Sequence, residues 1–223
     1  MDVGGTAREF IVVYPTNYDS NHPYRVIFQF HGMTGTAEEN IRFNWYNVQQ
    51  PAANTVIFVA PQGLGSPTGW ADSNGQDLAF AKQLVATIKD TYCVDTARIF
   101  VDGFSYGGNF SNTLGCKMGD VFRAIGPASG WGPTGTCVGQ VAAVLIHGSS
   151  DTTIDISRGE ASRDFWLKAN HCGTTTVPVE PSPCVQYQGC DAGFPVVWCK
   201  HTGGHQINQT LFGPAFWNVF SVL

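Results

Sequence analysis

Charge is scarce in this chain. Asp, Glu, Lys and Arg supply only 13% of the 223 residues, and 12 Lys plus Arg stand against 17 Asp plus Glu, for a net charge of −5. No basic block is present, so a nucleic-acid partner is not expected. Long apolar runs are missing too. Val141 to Ile146 is among the longest, and a membrane span needs roughly 20 residues, so no membrane partner is expected. The seven cysteines, Cys93, Cys116, Cys137, Cys172, Cys184, Cys190 and Cys199, include no CxxC pair. Nor do the histidines fall at zinc-finger spacing, so a metal site is the weaker reading. Internal repeats and low-complexity segments are absent, and the first residues, Met1-Asp2-Val3-Gly4-Gly5, lack the basic and apolar regions of a signal peptide.

What is there points to a secreted enzyme. Gly, Ser, Thr, Asn and aromatic residues are plentiful, and cysteines without metal spacing read as disulfides. Six of the seven cysteines are expected to pair, leaving one over. That odd cysteine suggests a trimmed N-terminus from which a signal and a cysteine-bearing segment have been removed. Asn109-Phe110-Ser111 and Asn208-Gln209-Thr210 carry the N-glycosylation pattern. Asn208 is favoured, because Asn109 should be buried in a helix.

The length suits one domain over residues 1–223. Tyr24 to Phe30, Thr55 to Ala60 and Val141 to Ile146 are nearly continuous apolar runs, the pattern of strands buried on both faces. Arg8 to Tyr14, Ala97 to Val101, Phe122 to Ala128 and Phe194 to Cys199 also read as strands. Helical spacing marks Asp77 to Tyr92, about Ser157 to Ala169, and Leu211 to Val222. Residues 172–190, rich in Pro, Cys and Gly, read as irregular and disulfide-tied. Strands alternating with helices predict an α/β fold, with a mostly parallel central sheet and helices on both faces.

The chain is organised around Val101-Asp102-Gly103-Phe104-Ser105-Tyr106-Gly107-Gly108-Asn109. Gly103, Ser105 and Gly107 have the spacing of a nucleophile elbow, a strand-to-helix turn so tight that positions flanking the serine must lack bulk. The Tyr106 N–H at the head of the helix would then stabilise an oxyanion. A serine hydroxyl needs a base, and that base needs a group holding it in the right tautomer. Asp151 follows the strand at 141–146, and His205 follows the last strand after two glycines. Ser105, Asp151 and His205 therefore form a candidate triad in Ser-Asp-His order. Asp151 is preferred over Asp155, which suits a helix cap, and His205 over His201, which adjoins the strand. The second oxyanion donor is expected from the loop after Phe30, at the N–H of Met33 or Thr34. His31 and His147 read as structural. Trp70, Tyr106 and Trp131 on post-strand loops are candidate walls for a flat acyl group, with Asp77 as a further candidate contact; Phe43 and Trp45 are weaker.

Several motifs together resemble carbohydrate esterase family 1, and more narrowly its secreted fungal feruloyl esterases, relatives of bacterial polyhydroxybutyrate-depolymerase-like esterases. They are His31-Gly32-Met33-Thr34-Gly35, Ala60-Pro61-Gln62-Gly63 with Gly69-Trp70 and Asp77, the block from Val94 to Gly108, His147-Gly148-Ser149-Ser150-Asp151, and Gly203-Gly204-His205. The resemblance implies an α/β-hydrolase fold, secretion and no cofactor. It also implies hydrolysis of hydroxycinnamate esters, either small ones or those on feruloylated arabinoxylan or pectin fragments; the chain is expected to act as a monomer. Acetyl xylan esterases and polyester depolymerases share the scaffold and are the rival activities. A catalytically idle carbohydrate-binding protein is the more distant alternative.

Overall fold

The computed structural model describes residues 1–70, 74–133 and 135–223. A small hairpin, β1 (Asp2–Val3) and β2 (Thr6–Ala7), precedes a nine-stranded sheet. That sheet contains β3 (Phe10–Val13), β4 (Tyr24–Phe30), β5 (Val56–Pro61), β6 (Val94–Phe104), β7 (Ala124–Ala128), β8 (Ala142–Gly148), β9 (Thr176–Pro178), β10 (Cys184–Tyr187) and β11 (Val196–His201). Their spatial order is β3-β5-β4-β6-β7-β8-β11-β10-β9. The run from β5 to β11 is parallel, and β3, β10 and β9 pair antiparallel at the edges.

Among the described residues, six α-helices flank the sheet: α1 (Ala37–Arg42), α2 (Gln49–Ala52), α3 (Gln76–Thr91), α4 (Tyr106–Lys117), α5 (Ile156–Ala169) and α6 (Gln209–Phe220). Alternation along β4 divides the core. Val26, Phe28 and Phe30 pack with Phe80, Leu84 and Ile88 of α3, Leu114 of α4 and Trp166 of α5. Ile27 faces the opposite layer, which holds Phe212, Phe216 and Phe220 of α6. The helical spacing read in 77–92 is thus one buried stripe, Phe80, Ala81, Leu84, Val85 and Ile88. Among the described residues, no helix is long and apolar enough to cross a membrane.

Residues 172–190 depart from the expected irregular loop, since β9 and β10 form a hairpin that extends the sheet beyond β11. The Cys184–Cys199 disulfide lies at one rung of the β10–β11 pairing and fixes it. Pro178 is tolerated because β9 is the edge. Cys116–Cys137 and Cys172–Cys190 complete the pairing and leave Cys93 with a free thiol.

Between α1 and α2 the backbone turns left-handed. Asn44, Trp45, Tyr46 and Asn47 have φ of 51, 51, 52 and 66°, a conformation that costs roughly 1–2 kcal/mol per non-glycine residue. Packing holds it there. The Trp45 ring lies 4.9 Å from that of Phe58, the Asn47 amide donates to the Gln209 carbonyl at 3.3 Å, and Gly213 of α6 lets that helix's backbone approach Tyr46 and Asn47.

Candidate active site

Parallel strands deliver their C-terminal ends to one edge of the sheet, where α/β proteins bind ligands. The ends of β4, β6, β8 and β11 lead there to loop 31–35, Ser105, Asp151 and His205 respectively. Ser105 sits between β6 and α4 at φ 57° and ψ −117°, a strained backbone for a residue with a side chain. The flanking glycines make this turn feasible. A Cβ at Gly103 would lie 2.5 Å from the Gly107 carbonyl and 2.7 Å from that of Phe30, and a Cβ at Gly107 would collide with the Phe30 carbonyl outright.

Three side chains converge. His205 Nε2 is 2.9 Å from Ser105 Oγ, and His205 Nδ1 is 2.7 Å from Asp151 Oδ2. Asp151 Oδ1 accepts from the backbone N–H groups of Thr153 at 2.9 Å and Ile154 at 2.8 Å, which fixes its carboxylate plane. Burial alone would raise the Asp151 pKa. The Ile154 N–H, His205 and the Thr153 N–H outweigh it and hold the carboxyl below its ordinary range. An anionic carboxylate behind the imidazole leaves Nε2 free to accept the serine proton, the arrangement used for acyl transfer.

The neighbouring candidates lie elsewhere. Asp155 caps α5 by accepting from the Ser157 N–H. His201 is buried at the end of β11 and accepts from the Gly203 N–H at 3.1 Å, so it supports the loop that carries His205. His147 is buried and donates from Nε2 to the Ile154 carbonyl at 2.8 Å. The Phe104 ring backs His205 at 4.8 Å.

The Tyr106 N–H opens α4, with no carbonyl of the described residues accepting it. Across from it, Gly32 packs against Ser105, a Cβ there falling 3.5 Å from the Ser105 Cβ. Of the two expected second donors, Thr34 is corrected, because its N–H is already given to the Thr68 carbonyl at 2.9 Å. The Met33 N–H has no such partner among the described residues, and its side chain is exposed.

Two expected substrate contacts are not brought to the site. Trp70 is only 2% exposed. Its ring stacks on Phe110 at 5.5 Å, and its indole N–H donates to the His31 carbonyl at 2.8 Å. It holds loop 31–35 from beneath and does not wall a slot. His31 pins the same loop, Nδ1 donating to the Gly32 carbonyl at 2.7 Å and Nε2 accepting from the Gly63 N–H at 3.0 Å. Asp77 is buried in an ion pair with Arg8 at 2.7 Å, so it ties α3 to the N-terminal segment.

Trp131, by contrast, is 44% exposed. It borders a depression of about 420 Å³ with Thr153, Ile154, Asp155 and Arg158, immediately beyond the Asp151 loop. Asn109, buried at the start of α4, accepts the Trp131 N–H at 2.7 Å, which leaves it no room for a glycan. Sequence reasoning missed Thr68, whose hydroxyl donates to the Gly35 carbonyl at 2.9 Å and whose own carbonyl takes the Thr34 N–H. It also missed Ile207, beside Phe104 in a second cavity of about 160 Å³. Neither residue carries a motif. No cluster of three or more His, Cys, Asp or Glu suited to a metal ion exists among the described residues.

Residues 4–175 match the Esterase family model, described as "Putative esterase". Feruloyl esterase D of Neurospora crassa is 33% identical over 225 residues, covering 93% of this chain and 77% of that protein. Feruloyl esterase C of Emericella nidulans is 31% identical over 230 residues, covering 96% and 83%. An acetyl xylan esterase from Aspergillus awamori superposes at a TM-score of 0.75 with 16% identity, covering 100% of this chain and 97% of the other. A CE1 ferulic acid esterase from Anaeromyces mucronatus, solved with ferulic acid, does so at 0.62 with 16% identity, covering 97% and 89%. At such identity the two structures speak for a shared α/β-hydrolase fold alone. With the family model matched over most of its length and two fungal relatives above 30% identity, the chain belongs to the esterase family that includes the fungal feruloyl esterases, and is a carboxylic ester hydrolase.

Proposed function

We propose that this chain is a serine esterase that releases hydroxycinnamates, ferulate foremost, from esters on plant cell-wall polysaccharides such as arabinoxylan or pectin. The observation that carries the serine chemistry is the unbroken path from Ser105 Oγ through His205 to Asp151, at 2.9 and 2.7 Å. The acyl preference is carried over from relatives named as feruloyl esterases.

In this reading His205 takes the Ser105 proton as Oγ attacks the ester carbonyl. The N–H groups of Tyr106 and Met33 receive the oxyanion. His205 returns the proton to the departing sugar oxygen, and an acyl-enzyme remains. Water activated by His205 then releases the acid, while Asp151 stabilises the imidazolium throughout. Trp131 is the substrate contact retained from the sequence reading. Secretion fits three disulfides, which persist in oxidising compartments. Asn208, outside the buried core, is the proposed glycan site, and the chain works as one catalytic unit and a monomer.

The test pairs Ser105→Ala with a substrate panel of methyl ferulate, acetylated xylan and a hydroxybutyrate oligomer. Ser105→Ala is expected to lower turnover by about 10⁴-fold or more and to abolish labelling by an active-serine phosphonate. Ferulate is expected to be the preferred acyl group. Near-wild-type turnover in Ser105→Ala overturns the mechanism, and preference for acetylated xylan or the oligomer overturns the substrate.

A further inference from the structure

Ser105 follows the end of β6, and the sheet order sets β4 on one side of that strand and β7 with β8 on the other. A depression lies on each side, and the two differ in chemistry. Beyond β7 and β8 it is open, about 420 Å³, and mixes one tryptophan with Asp155 and Arg158. Beside β4 it is a smaller cavity of about 160 Å³, walled by Met33, Phe43, Tyr46, Phe104 and Ile207 together with the polar Glu39 and Asn40. A cavity of about 150 Å³ is the size that holds a benzene-like ring. It is too small for a sugar chain, and an acetyl group would leave most of it empty.

Its position ties it to the chemistry. Gly32 packs against Ser105, Phe104 precedes Ser105 and backs the His205 ring, and Ile207 follows His205 by two residues. The far wall is built at a cost. Tyr46 reaches it from the left-handed turn of residues 44–47, which the packing of Trp45 and α6 holds in place. Strain kept at that position is evidence that the shape of the wall matters.

We infer that this cavity takes the aromatic ring of the acyl group, with Phe43 and Ile207 as specificity-determining residues, while the Trp131 depression takes the alcohol side of the ester. The inference rests on the hydroxycinnamate reading above and deepens it. It moves Trp131 from a wall of the acyl slot to a platform for the sugar.

The test uses p-nitrophenyl ferulate and p-nitrophenyl acetate, which share a leaving group and differ only in acyl group. The ferulate-to-acetate ratio of kcat/KM does not depend on how much enzyme is folded. Phe43→Ala, which opens the cavity, and Ile207→Trp, which fills its mouth, are each expected to lower that ratio about tenfold or more. Trp131→Ala is expected to leave it unchanged. A ratio unmoved in both cavity variants, or lowered in Trp131→Ala alone, overturns the inference while the hydroxycinnamate reading stands. A wild-type enzyme that cleaves the acetate and not the ferulate overturns both.

Discussion

Asp151 holds His205 with one carboxylate oxygen, Oδ2 at 2.7 Å from Nδ1, and spends the other on two backbone N–H groups of its own loop. This division of labour makes the effect of Asp151→Asn specific. The side-chain oxygen must stay on the Thr153 and Ile154 N–H groups, so the new NH₂ faces His205. Nδ1 then has to accept, the imidazole proton moves to Nε2, and the ring cannot take the Ser105 proton. The expected result is a fall in kcat of about 10³–10⁴-fold with KM little changed. Steady-state rates on p-nitrophenyl acetate, beside an unfolding curve within a few degrees of wild type, check it.

The elbow glycines act through space. With the Phe30 carbonyl directly over Gly107, Gly107→Ala must push β4 and α4 apart and carry the oxyanion loop away from Ser105. Gly103→Ala meets the same wall from the strand side. Each is expected to cost about 1–3 kcal/mol, the range for overpacking, and about 10²-fold or more in kcat/KM from misplaced oxyanion donors. Denaturant unfolding and ester hydrolysis on the same samples separate the two effects. Wild-type stability and rate in Gly107→Ala would remove the packing argument.

How far the sequence reached can be read from particular residues. Strands β4 and β8 were legible because a strand buried on both faces must be apolar at nearly every position. Ser105, Asp151 and His205 were legible because each lies just past such a strand, in turn chemistry that needs glycine or a short polar side chain. The β9–β10 hairpin was hidden, since Pro178 and Cys184 read as loop until the disulfide to Cys199 supplies the pairing. Trp70 misled for a different reason. A tryptophan on a loop after a strand reads as exposed, and only the fold reveals that its N–H has the His31 carbonyl to satisfy. The left-handed turn at residues 44–47 left only a faint signal, the tolerant Asn44 and Asn47, because Trp45 and Tyr46 adopt it only under tertiary packing.

Arg8 and Asp77 are both only 2% exposed and meet at 2.7 Å, with the Arg8 guanidinium 3.9 Å from the centre of the Phe80 ring. Removing one charge strands the other away from water. Asp77→Asn is expected to destabilise by about 3–5 kcal/mol, a fall in Tm of roughly 10 °C for a chain of this size. Because the pair is structural, kcat/KM of the folded enzyme is expected to stay within about twofold. A Tm close to wild type, or a selective loss of kcat on ferulate, would return Asp77 to the site.

Asp102 supplies a pH dependence that the triad does not. It is 0% exposed on β6, opposite Gln29 of β4, three residues before Ser105. Burial pushes its pKa up from 3.8 to about 8, with the Gln29 amide pulling weakly the other way. In the unfolded chain the same carboxyl titrates near the ordinary value of about 3.9. The folded form therefore holds a proton that the unfolded form releases. The associated stability is fully present below about pH 4 and is lost as pH rises to about 8, at no more than about 1.4 kcal/mol per pH unit. Asp102→Asn keeps the shape and cannot titrate, so it escapes this loss. The Tm difference between the variant and wild type is expected to move in the variant's favour from pH 5 to pH 8, by up to about 3–6 °C per unit, and to level off above. Thermal unfolding of both proteins across pH 5–9 reads this directly. A difference that stays flat would mean that Asp102 carries its charge in the folded protein, which a carboxylate with no exposure and no positive charge acting on it has no means to stabilise.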